Sequence, residues 1–205
     1  MILVLDDEVQ PDYRYLAPEI ARLLPESEYH VYPDDPDVSV DAYDGVVISG
    51  STASVYDERP WIDDQLELVR SLRDREIPTL GVCFGHQLVN AALGGTVEGD
   101  RRRATFVEME TVLEDEILAG VDPIVPVLHG DLVVECGGGM ETTARTDYSD
   151  HFCTRHREAP IWSVQFHPEF TERVRDRPSD WSDGDWSFEE SNATRVLENF
   201  ASVVG

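Results

Sequence analysis

The stretch Gly81-Val82-Cys83-Phe84-Gly85-His86-Gln87 constrains the fold of this chain more than any other. An apolar run from Pro78 to Val82 ends at a single cysteine. A helical pattern over residues 85–93 follows at once and is closed by Gly94-Gly95. A strand that passes directly into a helix has to turn sharply, and the flanking glycines relieve crowding there. This is the geometry of a nucleophile elbow, which holds one side chain at the top of a sheet. Backbone N–H groups at the start of the helix favour a thiolate and can also hold an oxyanion.

The surrounding pattern agrees with a sheet of that kind. Residues 1–6 read as a buried strand, 13–24 as a helix and 29–32 as a second strand. Gly45 to Gly50 reads as a third strand that enters a tight loop. Pro18 fits the first helix only within its opening turn. Pro60 starts a helix whose Ile62, Leu66, Val69 and Leu72 share one face. Strand and helix alternate this far, which predicts an α/β fold with a mostly parallel sheet and helices on both faces. The second half differs. Residues 105–112, 124–134, 141–147 and 160–167 read as strands with no long helix between them, which predicts an added antiparallel portion. Residues 171–187 carry no period and read as a loop before a final helix over 188–203. The length fits one domain over 1–205.

A thiolate nucleophile needs a base. Of six histidines, His167 stands out, because Gln165-Phe166-His167-Pro168-Glu169 ends another apolar run. In an extended segment residues i and i+2 face the same side, so Glu169 can reach the His167 ring. A carboxylate on one ring nitrogen leaves the other free to serve the thiol, which is triad logic.

These two motifs, in this order and about eighty residues apart, resemble the class I (triad-type) glutamine amidotransferases, and the resemblance covers nearly the whole chain. It implies a flavodoxin-like doubly wound fold and glutamine hydrolysis through a γ-glutamyl thioester, with ammonia released to an acceptor. Cys83 matches the nucleophile, His167 the base and Glu169 the orienting carboxylate. Gly50 and Phe84 match the oxyanion-hole N–H donors, and Gln87 matches a position beside the bound glutamine. His129-Gly130-Asp131 resembles a substrate loop of GMP synthetase glutaminase domains, which makes Asp131 a candidate ligand for the substrate ammonium.

One departure matters. Gly50-Ser51-Thr52 stands where GMP synthetases usually have Gly-Gly-Pro. That loop, Ser54-Val55-Tyr56-Asp57 and Pro60-Trp61-Ile62 look more like stand-alone GMP-synthase-like amidotransferases. The expected partners are glutamine and a separate acceptor synthetase. Two alternatives remain, a γ-glutamyl peptide hydrolase using the same triad and a non-catalytic regulatory domain. The reading calls for no cofactor. His151, Cys153 and His156 have partial zinc-ligand spacing but lack a fourth ligand, so no metal is expected. Cys136-Gly137-Gly138-Gly139 reads as a turn, and Arg101-Arg102-Arg103 as a charge-balancing loop.

Composition bounds the setting. Forty-two acidic residues face sixteen basic ones, for a formal charge of −26, and every basic residue is Arg. A phosphate backbone would repel such a chain, so nucleic acid is not expected as a partner. The acidic, lysine-free character resembles proteins of extreme halophiles. No apolar run is long enough to span a membrane. Three cysteines and no signal-peptide pattern predict a reducing cytoplasm rather than a disulfide framework.

Overall fold

The computed structural model describes residues 1–205. Its first half follows the alternation of the sequence. Strands β1 (Ile2–Asp6), β2 (Ser27–Val31), β3 (Gly45–Ile48) and β4 (Thr79–Val82) interleave with helices α1 (Leu16–Leu23), α2 (Pro60–Asp74) and α3 (Phe84–Ala92). The second half adds β5 (Thr96–Glu108), β6 (Glu110–Thr111), β7 (Ile124–Glu135), β8 (Met140–Arg145), β9 (Cys153–His156) and β10 (Ile161–Val164), then α4 (Arg195–Val204).

The main sheet has the order β2-β1-β3-β4-β10-β9-β8-β6. Its first five strands are parallel, in the doubly wound order expected of a flavodoxin-like fold. From β10 outward the pairings are antiparallel. β5 and β7 pair antiparallel as a separate ribbon. The added antiparallel portion is therefore present, divided between a sheet edge and this ribbon.

Burial follows the pleat. Ile2 and Val4 face one side of the sheet, where they meet Ala17 and Ile20 of α1 and Val196, Leu197 and Phe200 of α4. Leu3 and Leu5 face the other side, against Ile62, Val69 and Leu72 of α2 and Leu88 and Val89 of α3. Each fully buried side chain of this size contributes about 1.5–3 kcal/mol relative to exposure. Two helical layers are thus fixed by a run of four apolar residues in β1, as a strand buried on both faces requires.

Two expectations need correction. β5 begins at Thr96, not 105, so Arg101-Arg102-Arg103 lies within a strand instead of a loop. Its polar, mostly exposed residues carry no strand period, and pairing with β7 imposes the extended form. The last helix begins at Arg195, not 188. Phe188–Glu190 forms an isolated 3-10 turn capped by Ser187 and Glu190, and the chain is extended again at Ser191. Cys153–His156 is a central strand of the antiparallel portion.

Candidate active site

The carboxyl ends of the parallel strands are where a doubly wound sheet binds ligands. A cleft of about 590 Å³ opens there, lined by Gly50, Cys83, Gln87, His129, Gly130, Asp131 and His167 among others. Residues that lie far apart in sequence meet in it because β3, β4 and β10 end at this rim and β7 passes it at His129–Asp131.

Cys83 caps α3 with φ 54° and ψ −104°. Positive φ in a residue with a Cβ is strained by about 1–3 kcal/mol, and such strain persists only where the surroundings hold it. Here the Cys83 N–H donates to Val164 O at 2.9 Å, and the Gly85 N–H donates to Ser49 O at 3.0 Å. A Cβ on Gly85 would stand 2.2 Å from Ile48 O, so only glycine lets α3 approach β3 this closely. Buried side chains pin the helix from the other side. His86 Nδ1 pairs with Ser163 Oγ at 2.8 Å, and Asn90 Nδ2 donates to Thr154 Oγ1 at 3.1 Å. Burial keeps His86 neutral, lowering its pKa to about 3.

His167 and Glu169 are 2% and 0% exposed, and Nδ1 of His167 pairs with Oε1 of Glu169 at 2.7 Å. Nε2 of His167 is buried with no hydrogen-bond partner of its own. Burial works against a charged His167. The negative charges of Cys83 and Glu169 outweigh it and raise the ring pKa to about 10. Glu169 holds Nδ1, and Cys83 and Glu169 together favour the protonated ring. The Cys83 sulfur rests 3.8 Å from Leu128 O. Gly50 lies against both partners: a Cβ there would stand 2.9 Å from His167 Cε1 and 3.5 Å from Cys83 Cβ. The Gly50 and Phe84 N–H groups have no acceptor among the loop and helix-cap hydrogen bonds.

At the other end of the cleft the Asp131 carboxylate accepts from Ser54 Oγ at 2.6 Å and from Tyr56 OH at 3.0 Å. Gln87 Nε2 donates to Asp131 O at 3.1 Å and to Gln165 Oε1 at 3.2 Å. His129 is 3% exposed, with Nδ1 on Asp131 O and Nε2 on Tyr148 OH, both at 3.1 Å. Of the candidate residues, Gly50, Cys83, Gln87, His129, Gly130, Asp131 and His167 line one cleft, while Phe84 and Glu169 are buried beside Cys83 and His167. Sequence reasoning missed the contacts of Ser54, Tyr56, Gln165 and Tyr148. Ser54 and Tyr56 stood out as part of a motif, but nothing in the sequence joins them to a residue 75 or more positions away.

The loop over 171–187 supplies a wall of this cleft through Pro178, Ser179 and Asp180. Asp180 pairs with Arg102 Nε at 3.0 Å. Trp181 packs on Phe106, Phe170 and Phe188. The Ser182 N–H donates to Ala104 O at 3.0 Å, which ties the loop to β5.

The histidines around Cys153 go their separate ways. His151 Nδ1 meets Thr142 Oγ1 at 2.7 Å and Cys136 Sγ at 3.2 Å. His156 Nδ1 accepts from the Ala159 N–H at 2.9 Å. No three His, Cys, Asp or Glu side chains are grouped to hold a metal ion, and no helix is long and apolar enough to cross a membrane.

Residues 19–178 match the family described as glutamine amidotransferase class-I. The chain is a class-I glutamine amidotransferase. Over its full length it is 32% identical to a subunit of the glutamine-hydrolyzing GMP synthase from Methanopyrus kandleri, and it covers 99% of that relative. It is 33% identical over 135 residues to a glutamine-hydrolyzing GMP synthase from Desulfotalea psychrophila. That match takes in 63% of this chain and 25% of the relative, so the amidotransferase spans about a quarter of the longer protein. The fold is that of a glutamine amidotransferase from Thermotoga maritima, with a TM-score of 0.76 at 17% identity over 99% of this chain and 95% of that one.

Proposed function

We propose that this amidotransferase hydrolyses the side-chain amide of glutamine through Cys83 and hands the ammonia to a separate synthetase subunit. The observation that carries the reading is the strained Cys83 elbow beside a buried His167–Glu169 pair. The Cys83 thiolate attacks the amide carbon, and the carbonyl oxygen becomes an oxyanion held by the Gly50 and Phe84 N–H groups. His167 gives its proton to the departing nitrogen, the C–N bond breaks, and ammonia leaves a γ-glutamyl thioester. Water then attacks the thioester, His167 takes its proton, and glutamate departs as the C–S bond breaks. Glu169 holds the ring in orientation and stabilises its charge.

Asp131 is assigned to the substrate α-ammonium. Ser54 and Tyr56 hold its carboxylate at the cleft, and Gln87 steadies its carbonyl. The separate synthetase partner follows from the end-to-end match with a relative that is itself one subunit of a GMP synthase. Glutamine, γ-glutamyl dipeptides and glutathione, offered in molar salt, test the reading. Ammonia from glutamine in excess of amino-acid release from the peptides supports it. Preferential cleavage of the peptides would replace it with γ-glutamyl peptide hydrolysis.

A further inference from the structure

Behind the cleft, the mechanism leaves a stack of three polar side chains unused. Arg103 and His129 are cross-strand partners in the β5–β7 ribbon, next to a register shift between Gly99 and Arg103. Such irregularities re-aim side chains, and Arg103 is only 9% exposed despite lying in a polar run. Its guanidinium carbon sits 3.7 Å from the centre of the Tyr148 ring, while its Nη1 donates to Asp100 Oδ2 at 2.6 Å. The Tyr148 ring in turn stacks on His129 at a centroid distance of 5.8 Å.

The hydrogen bonds of His129 run in one direction. The Asp131 carbonyl can only accept, so His129 Nδ1 carries the proton. Burial, with the nearby cationic Arg103, lowers the ring pKa to about 3 and keeps it neutral. His129 Nε2 is then a bare lone pair, and Tyr148 O–H must be the donor to it. Burial also pushes the Tyr148 phenol up, so it stays protonated. A cation over the ring face makes a phenol a stronger donor.

We propose that Tyr148 is a positioning residue for the substrate loop: its hydroxyl donates to Nε2 of the Nδ1–H tautomer that the Asp131 carbonyl selects, holds the His129 ring against that carbonyl and so aims the Asp131 carboxylate at the cleft. The His129 ring therefore acts on substrate only through the loop. This inference rests on the proposed glutamine reading for its kinetic consequence but not for its structural one.

Tyr148→Phe removes one oxygen and keeps the ring, so the Arg103 and His129 stacking survives. One neutral hydrogen bond is worth about 0.5–1.5 kcal/mol net, so glutamine KM should rise about three- to tenfold with kcat within about twofold of wild type. Labelling of Cys83 by iodoacetamide, which has no ammonium group, should be unchanged. Imidazole ¹⁵N spectra should show His129 as the Nδ1–H tautomer in both proteins, with its Nε2 resonance moved in Tyr148→Phe by the loss of the Tyr148 hydrogen bond. A wild-type KM together with an unmoved His129 Nε2 resonance would overturn the proposal. If the wild-type protein hydrolysed no glutamine, the functional reading would fail, and the ¹⁵N comparison would still decide for or against the relay.

Discussion

Gly50→Ala tests the packing against His167 and Cys83. The added methyl would stand 2.9 Å from His167 Cε1 and 3.5 Å from Cys83 Cβ. Carbon contacts settle near about 3.5–4.0 Å, so the imidazole or the Gly50 backbone has to move by about 0.6 Å or more. His167 has little room to yield, because Glu169 grips its Nδ1 at 2.7 Å and the whole pair is buried. The displacement then falls on the reacting geometry. A misplacement of about 1 Å costs on the order of 10²-fold, and losing one oxyanion donor costs about 10²–10³-fold. A fall of about 30- to 300-fold in kcat is expected, with KM for glutamine nearly unchanged because Asp131 lies at the other end of the cleft. Overpacking should also destabilise the fold by about 1–3 kcal/mol, or about 2–10 °C in Tm for a chain of this size. Steady-state glutaminase assays and calorimetry on the same preparation separate the two effects. A kcat within about threefold of wild type would refute the assigned oxyanion site and the tightness inferred around His167.

Cys83→Ala should lower turnover by about 10⁴-fold or more while glutamine still binds, and Glu169→Gln should be about ten- to a hundredfold less severe. A harsher Glu169→Gln would require the roles to be reassigned. His167 has a folded-state pKa raised to about 10, against 6.5 for the ordinary ring. The stability it contributes is complete below pH 6.5 and is lost as pH rises through about 10. Tm should therefore decline across that window in the wild type and decline less in Cys83→Ala, which lacks the Cys83 contribution to the raised His167 pKa; equal slopes would contradict the coupling. With 42 acidic and 16 basic residues, self-repulsion opposes folding at low ionic strength, and Tm should rise as KCl approaches molar concentrations. A salt-independent melt would count against the halophilic resemblance and leave the site untouched.

The proposed catalytic groups were legible in the sequence because local geometry encodes them. Cys83 lies between an apolar strand and a helix, with glycines where the chain reverses, and two residues of extended chain join His167 to Glu169. Their meeting in one cleft follows from a parallel sheet, whose strands all end on the same rim. The alternating half of the fold was legible for the same reason: its buried strands and amphipathic helices have their own periods. β5 had no such signal. Its exposed polar residues are extended only because β7 pairs with them, and this pairing turns Arg103 inward under Tyr148. The start of α4 was likewise decided by tertiary packing, since Phe188 leaves a helical pattern to join Phe170 and Trp181. Hydrogen bonds from Ser54, Tyr56 and Gln87 to Asp131 span 44 to 77 positions. No periodicity reports a contact between residues so far apart. Local patterns determined the elements and the candidate reactive groups, whereas folding in three dimensions decided which distant polar side chains hold the His129–Asp131 segment in place.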